Sequence, residues 1–179
     1  KYDGPDQHRD VKQFVGDLAY QPLISIILPT FNSNLNFLTQ AIESVTGQSY
    51  PNWQLCIADD ASTDKILTDY LKELENNEKI STSYRDTNGH ISAATNSALD
   101  LANGEFVTFL DHDDKLHPHA LSAVVSQLNE DQDLDILYSD EDKIDEHGNR
   151  SEPFFKPGWS PDLLLSQNYT CHLSVYRKT

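Results

Sequence analysis

From residue 23 onward, the apolar positions of this chain fall into two alternating rhythms. "LISIILP" (23–29) is a continuous apolar run ending in proline, the pattern of a strand buried on both faces. Leu35, Leu38, Ile42 and Val45 then recur at helical spacing, with Gly47 placed to end the helix. "WQLCIAD" (53–59) predicts a second strand. Ser62 or Thr63 is placed to cap a helix carrying Ile66, Leu67, Tyr70, Leu71 and Leu74 on one stripe. "ISTSY" (80–84) is a weaker strand, and Ile91, Ala94, Ala98, Leu99 and Ala102 form a small-residue helix closed by Asn103-Gly104. "EFVTFLD" (105–111) is the strongest strand; Pro118 then opens a helix with Leu121, Val124, Val125 and Leu128. "DILYSD" (135–140) is the next strand.

This β-α repetition predicts an α/β fold with a mostly parallel sheet and helices on both faces. Beyond residue 140 the rhythm changes. Two short extended pieces flank the turn residues Glu146-His147-Gly148-Asn149, Ser160 and Pro161 open a short helix, and "CHLSVYR" (171–177) reads as a further strand. Residues 1–21, with Gly4 and Pro5 and mixed charge, read as an arm or linker ahead of one domain over 22–179.

Composition narrows the function. With 29 acidic against 13 basic side chains, the formal charge is −16. Such a surface repels nucleic acid and anionic lipid, and no basic run offsets it. No apolar run reaches transmembrane length, and the N-terminal stretch lacks the apolar core of a signal peptide. The chain has no methionine, as in a fragment of a longer protein. Two cysteines, Cys56 and Cys171, make neither a disulfide framework nor a zinc site. Asn149-Arg-Ser and Asn168-Tyr-Thr match a glycosylation pattern but carry little weight without an export signal. The expected setting is the cytoplasm, with peripheral attachment at the inner face of the membrane as an extension.

The chemistry gathers after the strands, where open α/β sheets bind ligands. The first strand leads into Pro29-Thr30-Phe31-Asn32, and the second into Asp59-Asp60-Ala61-Ser62-Thr63-Asp64. The fourth leads into Asp111-His112-Asp113-Asp114, and the fifth into Asp140-Glu141-Asp142. Singly, each piece has a plain reading: an Asp-Asp-x-Ser run caps helices, a lone Phe packs in cores, and an acidic turn sits in solvent. His90, His112, His117 and His119 show no paired metal-ligand spacing. Their convergence on one sheet edge is the stronger signal.

Neither a Gly-x-Gly-x-x-Gly nor a Walker-type loop follows the first strand. A phosphate bound here needs a bridging cation. At an effective dielectric near 20, a carboxylate and a phosphate oxygen about 4 Å apart repel by roughly 4 kcal/mol. Mg²⁺ or Mn²⁺ coordinating both reverses that sign.

"PLISIILPTFN…LTQAIESVTGQSYPNWQLCIADDASTD" followed by "NGHISAATNSALDLANGEFVTFLDHDDKLHPHAL" closely resembles the family 2 glycosyltransferases, which have the GT-A fold. "YSDEDKID" and "FKPGWSPDLLLSQNYTCHLSVYR" are similar to a bacterial branch acting in surface polysaccharide synthesis. The resemblance implies a metal-dependent inverting enzyme that takes a UDP- or dTDP-sugar donor and a saccharide or lipid-linked acceptor. It places Pro29, Thr30, Phe31 and Asn32 at the nucleotide, with Phe31 stacking on the base. Asp60 accepts the imide N–H of the base. Asn88, Gly89 and Asn96 close over the nucleotide, although Thr95 stands where many relatives carry Arg. Asp111 and His112 lie near the ribose and diphosphate, and Asp113 binds the metal with Asp111 beside it. The family's base is a carboxylate in a Glu-Asp or Gln-Asp motif, absent between Trp159 and Thr179. The base is therefore expected beyond Thr179, with Asp140 and Asp142 as substitutes within the chain.

Two other classes fit parts of the pattern. Asp60-x-Ser62-x-Asp64 approximates the metal motif of an adhesion module that binds a protein partner. Asp111-x-Asp113 has the spacing of an Asp-x-Asp phosphohydrolase, although Lys115 stands where that class has Thr or Val.

Overall fold

The computed structural model describes residues 11–178. Strands β1 (Ile24–Thr30), β2 (Trp53–Asp59), β3 (Ile80–Tyr84), β4 (Phe106–Phe109), β5 (Ile136–Tyr138) and β8 (Ser174–Arg177) form one sheet in the order β3-β2-β1-β4-β8-β5. The pairs β1–β2, β1–β4 and β2–β3 are parallel. A two-stranded antiparallel piece, β6 (Glu141–Ile144) and β7 (Arg150–Phe154), stands apart from that sheet.

Period-two alternation divides β1 between two cores. Ile24, Ile26 and Leu28 join the larger core with α2 (Leu35–Thr46), α3 (Lys65–Leu74) and α5 (Ala120–Glu130), through Leu38, Ile42, Leu67, Leu71, Leu121 and Val125. Ile27 faces the opposite core, where α4 (His90–Leu99) contributes Ala94 and Ala98 against Cys56 and Ala58. The small side chains let α4 lie close to the sheet, bringing its N-terminus to the strand ends. Cys56 is buried, and burial raises its thiol pKa to about 11, consistent with a packing role.

Four sequence-level assignments change in detail. Asp64, rather than Ser62 or Thr63, caps α3 by accepting from Ile66 N at 2.8 Å. Pro118 precedes α5 by two residues, and its carbonyl accepts from Ser49 N instead. The strand read from 171 begins at Ser174 and runs antiparallel, inserted between β4 and β5. Within the stretch read as an arm, Val11–Gly16 forms the short helix α1, and its Val15 is buried in the larger core. Residues 1–10 and 179 lie outside the described residues.

Gly104 is required by a close approach. A Cβ there would stand 2.7 Å from Leu23 O and from Ser25 N. Ser160 caps α6 (Pro161–Ser166), as its position ahead of Pro161 predicts. Among the described residues, no helix is long and apolar enough to cross a membrane.

Candidate active site

The carboxyl ends of β1, β2 and β4 and the start of α4 enclose a cavity of about 310 Å³. Its walls are Pro29, Thr30, Phe31, Asp60, Asn88, His90, Ile91, Ala94, Asp111 and His112. Seven of the positions singled out in the sequence thus share one cavity, and His90, Ile91 and Ala94 join them from α4. Phe31 keeps 47% of its surface exposed there, which leaves its ring available to a flat ligand. Ala61 (φ 65°) and His90 (φ 64°) adopt left-handed backbone beside it. Non-glycine residues held there cost of order 1–3 kcal/mol each, and such strain gathers at binding sites.

Asp60 is 2% exposed and organises the cavity's far wall. Its Oδ1 accepts from Arg85 Nε at 2.7 Å and Gly89 N at 2.9 Å; Oδ2 receives only the longer branch from Gly89 N, at 3.1 Å. Arg85 also donates to Ser97 Oγ at 2.7 Å and to Ala93 O, so this carboxylate ties β2 to α4. Oδ2 retains a lone pair that a ligand N–H can use.

The remaining sequence candidates fall elsewhere. Asn32 bridges two loops, accepting at Oδ1 from Thr63 N (2.8 Å) and donating its backbone N–H to Ser62 Oγ (2.8 Å). Gly89 acts through Asp60, and a Cβ there would meet Arg85 at 2.6 Å. Asn96 is exposed on α4 and does not line the cavity. Asp140 caps Lys156 N at 2.8 Å, and Asp142 is held by a two-pronged pair with Arg150 at 2.7 and 2.9 Å. Neither lines this cavity or its neighbour.

Asp111 is shared with a second cavity of about 360 Å³, whose walls include Phe109, Asn168, His172 and Tyr176. Here three possible metal donors meet. Asp111, Asp114 and His172 each place one ligand atom within 4.8 Å of the others. His172 Nδ1 stands 3.3 Å from Asp114 Oδ2, and its Nε2 stands 3.8 Å from Asp111 Oδ2. Burial pushes the Asp114 carboxyl above its usual range; His172 opposes that shift, while Asp111, Asp113 and Glu141 add to it. Asp113 is outside this trio, its side chain 59% exposed and 3.9 Å from His112 Nδ1.

His172 and Arg85 were not read from the sequence. The strand-end rule locates Arg85 directly, since it follows β3. His172 precedes an antiparallel strand, whose start lies beside the ends of its parallel neighbours; seeing it required that strand's direction.

A mostly parallel sheet with an aromatic-walled cavity and a carboxylate cluster at its carboxyl edge has its candidate ligand site where open α/β sheets bind ligands. The sequence matches the model of glycosyl transferase family 2 over residues 25–179. The chain belongs to that family.

It is 39% identical over 168 residues to the O-antigen biosynthesis protein RfbC of Myxococcus xanthus, covering 93% of this chain and 13% of that protein. It is also 39% identical over 97 residues to the putative teichuronic acid biosynthesis glycosyltransferase TuaG of Bacillus subtilis, covering 54% of this chain and 38% of that one. The crystal structure of S. aureus TarS 1-349 in complex with UDP-GlcNAc superposes with a TM-score of 0.68 at 26% identity, covering 86% of this chain and 45% of that one.

Membership sets aside the adhesion and phosphohydrolase readings. The side chains of Asp60, Ser62 and Asp64 accept from Arg85 Nε, Asn32 N and Ile66 N respectively.

Proposed function

We propose that this domain binds a nucleotide diphosphate sugar, with uracil or thymine as base, and donates its sugar to a growing bacterial surface polysaccharide. The observation that carries this reading is the shared wall: Asp111 belongs both to the aromatic cavity and to the cluster of possible metal donors. A base stacked on Phe31 directs its imide N–H to Asp60 Oδ2. The diphosphate then falls at Asp111, and the sugar reaches the second cavity. The relatives' names, and the UDP-GlcNAc held by TarS, support donor and pathway alike.

Asp111, Asp114 and His172 supply two carboxylate oxygens and one imidazole nitrogen. That mixed set suits Mn²⁺ better than Mg²⁺, which prefers oxygen alone. Asp113 is adjacent and exposed, and would be a further carboxylate available to the cation. The cation would neutralise the diphosphate and stabilise the leaving group. Around it, the chain's own groups do the positioning: Phe31 and Asp60 fix the base, and Arg85 holds Asp60 in place. Asp140 and Asp142 are engaged by Lys156 N and Arg150 and lie outside both cavities, so neither is favoured as the base that deprotonates the saccharide or lipid-linked acceptor. The chain spans less than half of each of these relatives.

Competition among nucleoside diphosphates tests the base pocket. Adenine lacks an imide donor and leaves Asp60 unpaired, a penalty of about 1–3 kcal/mol. UDP or dTDP should therefore outcompete ADP by roughly tenfold or more. Equal affinities would remove Asp60 from the base pocket.

A further inference from the structure

Lys156 is an unusual residue for this acidic surface, because its side chain is only 1% exposed. Its ammonium lies beneath the segment that carries His172. It donates to His172 O at 3.0 Å and to Thr170 O at 3.4 Å, and pairs with Glu141 Oε2 at 3.5 Å. The same Glu141 oxygen accepts the backbone N–H of His172. The carbonyl and the amide of one residue are thus gripped by the two members of one ion pair. Asp140 fixes the Lys156 backbone at 2.8 Å, while Ser139 Oγ accepts from Leu173 N at 3.4 Å. The segment is held from residue 170 to residue 173, and the ring at its centre faces Asp111 and Asp114.

A buried ammonium is costly unless every proton finds an acceptor. Of these three acceptors, one is the His172 carbonyl and another, Glu141, also takes the His172 N–H, and His172 carries the imidazole of the possible metal trio. We infer that Lys156, with Glu141, is a positioning residue: it sets His172 at the distance from Asp111 and Asp114 at which the three ligate one divalent cation. This rests on the cation reading above. Partners that orient metal-binding side chains typically change metal affinity by about 10–100-fold when removed.

Mn²⁺ itself is the probe, its free concentration read by electron paramagnetic resonance in the presence of saturating UDP, using the whole chain. Lys156→Met should weaken Mn²⁺ binding by about tenfold or more. UDP affinity in chelator should stay at the wild-type value, because the Phe31 and Asp60 cavity is not touched. The deciding arm is the His172→Ala background. There Lys156→Met should cost less than about twofold, since a clamp has no effect once the ring it positions is gone. Should Lys156→Met fail to fold by circular dichroism, Glu141→Gln keeps the shape and enters the same cycle.

An equal loss of Mn²⁺ affinity with and without His172, or an unchanged affinity in Lys156→Met, would overturn the proposal and leave Lys156 a structural residue. Wild-type protein that binds Mn²⁺ but not UDP would instead refute the nucleotide reading, with the clamp still decided by the cycle on Mn²⁺ alone. Wild-type protein that binds no Mn²⁺ would overturn both.

Discussion

Replacing Asp60 with Ala removes the acceptor that joins β2 to α4. The side chain is 2% exposed and accepts from Arg85 Nε at 2.7 Å and Gly89 N at 2.9 Å. Breaking a buried pair by removing one partner costs about 3–5 kcal/mol. The lower part of that range applies here, because the Arg85 side chain is 26% exposed and keeps Ser97 Oγ at 2.7 Å. Adding about 1 kcal/mol for the stranded Gly89 N–H to a value near the bottom of that range gives about 4 kcal/mol in all. For a chain of this size that lowers Tm by roughly 8–16 °C.

Asp60→Asn separates stability from binding. The amide oxygen can still face Arg85 and Gly89, but its NH₂ then opposes the imide N–H of the base. The variant should fold, losing about half as much stability, and bind UDP roughly 10–100-fold more weakly. Urea denaturation and calorimetry measure the two effects. An Asp60→Ala variant within about 1 kcal/mol of wild type, or an Asp60→Asn variant with wild-type UDP affinity, would refute this assignment of the carboxylate.

Phe31→Ala should weaken UDP by about 10–100-fold with little change in Tm, since base–aromatic stacking contributes about 1–3 kcal/mol and the ring is half exposed; calorimetry and a thermal melt check both halves. Asp111→Asn and Asp113→Ala should each abolish the Mn²⁺-dependent part of UDP binding while the circular dichroism spectrum stays native, and a retained metal effect in either would remove that residue from the cation shell. Asp114, with its pKa raised by burial, binds its proton more tightly folded than unfolded. In chelator it therefore favours the fold below its unfolded pKa, and that contribution is lost as pH rises through the folded pKa. Asp114→Asn should accordingly raise metal-free stability at neutral pH and flatten its fall between pH 4 and neutrality, as urea midpoints across that range would reveal, while weakening Mn²⁺ binding.

Much of this arrangement was legible because strand ends are legible. The buried runs at 23–29 and 53–59 and the helical stripes after them fixed the parallel half of the sheet. Phe31, Asp60 and Asp111 therefore fell on one edge by counting alone. What escaped involved direction and partner choice. The pattern of "CHLSVYR" announces a strand but not that it inserts antiparallel between β4 and β5, and only that insertion delivers His172 to Asp111 and Asp114. Asn96 sits near the right motif, yet helical periodicity turns it away from the face that carries Ile91 and Ala94. Asp142 looks like a spare carboxylate until the hairpin brings Arg150 opposite it.

The central claim, a cation-bridged nucleotide diphosphate at the carboxyl edge of the sheet, is tested most directly by calorimetric titration of the wild-type chain with UDP in Mn²⁺ and again in chelator. Saturable one-site binding that weakens by about tenfold or more when the cation is removed is the predicted result, because the carboxylates then face the diphosphate unscreened. Absence of UDP binding in both buffers, or identical affinity in the two, would contradict it.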